Sequence, residues 1–321
     1  MSADTDLQTI PRPGPSGLPI AETPKRRRLR GPVGWWRDPW RKPRMLSSVT
    51  WAYLAWSILP VLIAVLFSFN SGRSRSSWQG FSMRWWTIDP FNSLLHDPAM
   101  HSAIVQSLKL STITMLIAVP LGTAFAIGLD RWRGRVPSAA NFTMLLSFVM
   151  PEIILGVALF LLFTNLLSSF VHLGTFAQIL GLVTYQVSYP VIIVRARLLT
   201  IGKEFEEAGM DLGASPTQSV RRVLLPLLFP AIFASFALVF ADTIDDFVTV
   251  RYLSSSSNTE TLSIKIYSAA RSSPTPEVNA AATFLLVSTL IAVVIGLVAY
   301  RAITRGQEQG PATTEFVGMQ V

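Results

Sequence analysis

Four carboxylates stand where a charge is costly. Asp242, Asp245 and Asp246 close an apolar run over residues 223–241, and Glu152 is the one acid inside another over 136–171. An ionisable side chain at bilayer depth costs at least ~2.5 kcal/mol, so each is first read as functional. The i, i+3, i+4 spacing of the three aspartates predicts one shared helix face. Like charges so placed repel in a low dielectric. Either some are protonated or they meet a cation that donates to several at once. The competing readings are a water-filled vestibule, pairing with Lys265 or Arg271 of the following loop, and, for Glu152, capping of a helix that restarts after Pro151. Titration of the same acids as proton sites of a secondary, proton-coupled transporter is a further alternative. Trp78 offers an aromatic face to the same cation or serves as an interfacial anchor, and Tyr267 is a further aromatic candidate.

Other chemistry is excluded by residue type. The chain has no Cys, and its three His (His96, His101, His172) are widely spaced, so neither disulfides nor a metal site is expected. No Ser/His/Asp or paired-acid protease constellation falls within the apolar runs, so an intramembrane enzyme is not expected. A phosphate-binding loop needs G-x4-G-K-[S/T]. The one Gly-Lys pair, Gly202-Lys203, has Arg197 at the first position and Glu204 at the last. This chain is therefore expected to bind no nucleotide.

The elements that must position these acids are membrane helices. Of 321 residues, 50% are hydrophobic and only 14% charged, with mean hydropathy +0.43; a soluble domain carries about 25% charged residues. A spanning helix takes about 20 apolar residues. Suitable runs cover 49–70, 110–129, 136–171, 173–194, 223–241 and 278–300. Six spans and an all-α polytopic fold follow. The third run is longer than one helix needs and holds Pro151, which predicts a break or kink there. The loops on the side of the N-terminus carry twenty Lys and Arg against six on the other, which predicts both termini in the cytoplasm. Ten of the 27 basic residues lie in the first 44 positions. That cluster, beside Trp35, Trp36 and Trp40, suits anionic lipid headgroups rather than nucleic acid. The first run is too long for a signal peptide and lacks a small-x-small cleavage site, so it is expected to be retained.

One cytoplasmic loop, residues 203–226, is patterned. Residues 204–212 are helix formers with acids at the N-terminal end, where the helix dipole favours them. Gly213 is placed to end that helix in a left-handed conformation. Ser215 and Pro216 are placed to cap and begin a second helix. A helix–turn–helix joined rigidly to the fifth span is a lever.

This loop resembles the E-A-A-x3-G-x9-I-x-L-P loop of the integral permease subunits of bacterial binding-protein-dependent (MetI-like) ABC importers. It reads Glu207-Ala208-Gly209, three residues, Gly213, nine residues, Val223-x-Leu225-Pro226, with Gly and Val departing from the pattern. Phe67-Ser68-Phe69-Asn70, Trp78-Gln79-Gly80-Phe81, Asp245-Asp246, Leu262–Ser268 and Pro276–Ala280 are similar to the PotC-type permeases of spermidine/putrescine importers. The resemblance covers roughly residues 48–302 and implies a type I importer permease fold in the bacterial inner membrane. It sets a tail over 1–47 apart from a transmembrane domain over 48–302, with its coupling loop at 204–226, and a second tail over 303–321. It implies ATPase-coupling roles for Glu207, Ala208, Gly209, Gly213, Leu225 and Pro226. The family's acidic pair falls on Asp245 and Asp246. The implied partners are a second permease subunit, a cytoplasmic ATPase dimer that holds ATP and Mg, an extracytoplasmic polyamine-binding protein, and lipid; no cofactor is implied for this chain itself. The function so implied is polyamine import by alternating access; another small cationic or amino-acid-like solute is the alternative within the class.

Overall fold

The computed structural model describes residues 44–74, 77–132, 135–272 and 276–305. The tryptophan-bearing basic tail before residue 44 and the second tail beyond 305 lie outside the described residues. The chain divides into two units, 1–58 and 59–321. The described part of the first is the opening stretch of helix α1 (Arg44–Phe67); the second holds every other element.

Among the described residues, five helices are long and apolar enough to cross a membrane, or six if one bent pair counts as a span. Helix α2 (Pro98–Arg131) starts at Asp97, whose carboxylate accepts from the Ala99 amide, with Pro98 at the first position. It ends at Arg131, a cation in the last turn, where the dipole favours one. Helices α3 (Arg135–Val149) and α4 (Glu152–Leu161) form the bent pair, turned by 109° at Met150–Pro151. The expected break falls where a proline without an N–H cannot continue the ladder. Helices α5 (Thr175–Gln186) and α6 (Ser188–Ile201) run on as one span. Then come α7 (Glu204–Asp211), α8 (Pro216–Ser219), a π turn at Val220–Leu224 and α9 (Leu225–Asp245). The short α10 (Val248–Leu253), α11 (Leu262–Ser272) and α12 (Pro276–Arg305) complete the order.

Lipid tails are as apolar as leucine, so helices in a bilayer associate by close packing and buried hydrogen bonds. Helix α2 shows this most clearly. Ala103, Ser107, Ser111, Thr114, Ala118, Gly122 and Ala126 recur every three or four residues on one buried face. That face lets α5, α6 and α9 approach closely. A Cβ on Gly181 of α5 would sit 2.5 Å from Leu253 Cδ1, so glycine is what admits α10 there. Polar side chains on the same faces are tied across helices. Gln106 Nε2 donates to Gln178 Oε1 and to Thr175 Oγ1, both at 2.9 Å, and the Leu262 amide donates to Ser107 Oγ at 2.9 Å.

The segment between α1 and α2 is folded too. Trp85 is buried, its indole N–H donating to the Asn70 carbonyl at 2.7 Å. Arg84 clasps Asp89 with Nε and Nη2, each at 3.1 Å from Oδ2. The amides of Phe91 and Asn92 donate to the other oxygen and hold the Asp89 carboxyl below its usual range.

Candidate functional site

The break at Pro151 and the end of α9 build the site. Glu152 is the first residue of α4, next to the positive end of that helix, and lines a cavity of about 470 Å³. Tyr185, Tyr189, Phe148, Leu155 and Val248 form other walls. Helix α9 brings the three aspartates toward the same region. Asp245 lies within electrostatic range of Asp242 and Glu152, Asp246 within range of both, and Tyr189 within range of Glu152, Asp242 and Asp246.

Of the three aspartates, Asp242 and Asp245 lie within helix α9 and Asp246 just past its end. Helix α9 ends at Asp245, and Asp246 caps it in an extended conformation, because the chain turns there into α10. The three then have separate surroundings. Asp246 is 9% exposed; it accepts from the Tyr185 hydroxyl and, at 3.1 Å, from the Val250 amide. Its carbonyl accepts from Ser263 Oγ at 2.7 Å. Asp242 is half-buried and accepts from Gln186 Nε2 at 2.7 Å. The Oε1 of the same amide is buried without a hydrogen-bond partner among the described residues. Asp245 is exposed, and its side chain hydrogen-bonds to no other described residue.

The basic side chains that compete for these acids are occupied elsewhere. Lys265 pairs with Glu260 at 2.6 Å, Arg251 joins the same carboxylate at 3.3 Å, and Arg271 lies 4.6 Å over the Tyr267 ring. Among the described residues, none of Glu152, Asp242, Asp245 and Asp246 is in an ion pair. Of the four acids Glu152 lines the cavity, beside Tyr185 and Tyr189, and the aspartates lie near it with no counter-ion among the described residues; such a grouping is chemically suited to positive charge.

The two predicted aromatic contacts fall differently. Tyr267 packs against Phe247, next to Asp246, at a tilt of 39° with centroids 4.5 Å apart, and Arg271 already lies over its ring. Trp78 packs edge-on against Phe67, 6.2 Å between centroids, and is not among the residues lining the acidic cavity. Sequence reasoning missed Tyr185, Gln186 and Tyr189. Two glutamines eight residues apart on an apolar span, Gln178 and Gln186, were the available signal, because buried amides must find partners.

The patterned loop forms the expected helix–turn–helix. Gly213 takes φ +89° after α7. Ser215 caps α8 in a full capping box with Gln218. Glu207, Ala208 and Gly213 are exposed, whereas Gly209 faces Ser219 and Val223 and lets the two helices close. Leu225 and Pro226, both half-buried, open α9. Phe205, Met210 and Leu212 are also exposed, Leu212 by 90%, and add an apolar surface beside Glu207. Glu206, by contrast, is buried against Arg131 at the end of α2.

Residues 118–309 match the family described as binding-protein-dependent transport system inner membrane component. The putrescine transport system permease protein PotI of Escherichia coli K12 is 33% identical over 278 residues, 85% of this chain and 94% of that one. The spermidine/putrescine transport system permease protein PotC of the same strain is 31% identical over 255 residues, 79% and 93% respectively. In fold, the chain is similar to a bacterial ABC transporter involved in import of the acidic polysaccharide alginate. That match has TM-score 0.64 and 17% identity, over 81% of this chain and 95% of the other. The chain belongs to the binding-protein-dependent transport system inner membrane components, a multi-pass transport subunit of the bacterial plasma membrane.

Proposed function

We propose that this family member is a permease subunit of an ATP-driven importer that carries putrescine or spermidine inward by alternating access. The observation that carries the reading is the group of acids around the cavity. Glu152, Asp242 and Asp245 face it or lie within range of it without a basic partner. A linear polyamine places ammonium groups several Å apart on a flexible apolar stem, which suits separated carboxylates between tyrosine rings. An ammonium also brings a donor to the unpartnered Gln186 Oε1. The polyamine permeases named among its relatives support the same substrate class.

In this reading both termini and the α7–α8 loop are cytoplasmic. Glu207 with exposed Phe205, Met210 and Leu212 docks on an ATPase subunit. Closure of the ATPase dimer, which holds ATP and Mg²⁺, pushes α7; α9 follows because it is continuous with α8 through the π turn. A second permease subunit completes the pathway, and an extracytoplasmic binding protein delivers the solute. The test is uptake by proteoliposomes holding the complete complex, with labelled putrescine and spermidine against a panel of cations. ATP-dependent accumulation that diamines compete for is expected. Accumulation that persists with a hydrolysis-dead ATPase and follows a proton gradient would overturn the reading, as would competition by neutral or anionic solutes alone.

A further inference from the structure

Arg131 and Glu206 stand 75 residues apart in sequence and meet at the junction between the longest helix and the coupling helix. Glu206 lies in the first turn of α7, where the dipole favours an acid, and Arg131 in the last turn of α2, where it favours a cation. Each helix end therefore favours the charge that the other needs. The guanidinium donates through Nη2 to Glu206 Oε1; the glutamate side chain is 5% exposed and the arginine 32%. Arg131 also lies 3.8 Å from Asp130. The Glu206 carbonyl accepts from Ser219 Oγ at 3.1 Å, so the same residue joins α7 to α8. An acid buried on a face otherwise presented to a partner is not needed for docking, which falls to its exposed neighbours.

We infer that the Arg131–Glu206 pair is a strut that makes α2 move with the coupling helix, so that force from the ATPase reaches the acidic cavity through two helices rather than through α9 alone. This rests on the coupling role proposed above. The route is continuous. From Arg131, α2 runs to Gln106, which holds Gln178 and Thr175 of α5, and to Ser107, which holds the first amide of α11. Helix α5 carries Tyr185 and Gln186, the donors to Asp246 and Asp242. A displacement of α2 thus repositions the two donors that orient the acids. Arg131 and Glu206 are positioning residues; neither lies at the cavity.

The test uses the complete complex in proteoliposomes and reads three quantities: ATPase captured by the permease, ATP hydrolysed, and solute taken up per ATP. Glu206→Gln keeps the size of the side chain and Arg131→Gln a shorter amide donor, and each removes the ionic link. Each is expected to capture the ATPase as wild type does and to lower uptake per ATP on the order of tenfold. Arg131→Lys, which keeps the charge, is expected to retain most of the coupling. The chain has no cysteine, so Arg131→Cys with Glu206→Cys can be bridged cleanly by a flexible bis-methanethiosulfonate. The bridge is expected to restore uptake per ATP to within a few-fold of wild type. Unchanged coupling in both Gln variants would overturn the inference. So would loss of ATPase capture in parallel with uptake, which would make the pair part of the dock, and so would a bridged variant as uncoupled as Glu206→Gln. A wild-type complex that accumulates no polyamine would instead count against the substrate assignment, because capture and hydrolysis are read separately.

Discussion

The aspartates at the end of α9 have different surroundings, and replacing each by asparagine separates binding from folding. Asp245 is exposed and its side chain hydrogen-bonds to no other described residue, so Asp245→Asn removes a charge and leaves the fold alone. An ammonium ~4 Å from a carboxylate gains ~4 kcal/mol at an effective dielectric of ~20. Desolvation offsets part of this, and a hydrogen bond to a charged group nets ~1.5–3 kcal/mol. At ~1.4 kcal/mol per factor of ten, that is a rise of about ten- to a hundredfold in the half-saturating solute concentration. Asp246 is buried and accepts from Tyr185 and Val250. Asp246→Asn loses a charge-assisted bond worth ~1.5–3 kcal/mol of stability, and the melting temperature should fall by roughly 3–10 °C. Concentration-dependent uptake of labelled putrescine, paired with thermal unfolding in detergent, reads both. Wild-type uptake by Asp245→Asn would refute the reasoning. A larger thermal loss at Asp245 than at Asp246 would refute the structural half of it.

Further outcomes follow from particular positions in the fold. Gly181→Val puts a branched side chain where Leu253 Cδ1 already stands 2.5 Å from an added Cβ; overpacking should cost about 1–3 kcal/mol. Gly128→Ala on α2, with nothing within 4 Å, should leave the melting temperature equal or slightly higher. Gly213→Ala forces a side chain into φ +89°, at ~1–2 kcal/mol, and should weaken ATPase capture; Leu212→Ser should weaken capture with no change in melting temperature. The Phe91 and Asn92 amides hold Asp89 below its ordinary 3.8. A depressed folded-state value means that this carboxylate's stabilisation is complete above the ordinary range and lost only as pH falls through the lowered one. Amide exchange across residues 84–94 should therefore stay slow from neutral pH into the mildly acidic range, and Asp89→Asn should raise it throughout. Fast exchange in wild type already at mildly acid pH would contradict this.

Much of the frame was legible locally. Apolar run lengths marked the spans, Pro151 marked the bend, and Gly213, Ser215 and Pro216 marked the turn, because each signal acts within a few residues of its effect. What escaped depends on contacts distant in sequence. Nothing near Asp246 announces that Tyr185 will take its proton-accepting side, and no local rule pairs Arg131 with Glu206. The helix end at Asp245 also escaped, since the acids that made an i, i+3, i+4 pattern are themselves where the helix stops. Trp78 and Tyr267 were chosen for ring chemistry alone, and chain topology then set one against Phe67 and gave the other an internal cation.

The length of α2 bears on how the protein tolerates its bilayer. Its 34 residues extend ~51 Å at ~1.5 Å per residue, against a hydrocarbon layer of ~30 Å. The stretch 110–129 is its longest without Asp, Glu, Lys, Arg or His and is about as long as that layer is thick, so the helix is longer than one straight crossing needs. Hydrophobic mismatch in a thinner or thicker membrane is then absorbed by tilting this overlong rod or by reach of the Lys109 side chain.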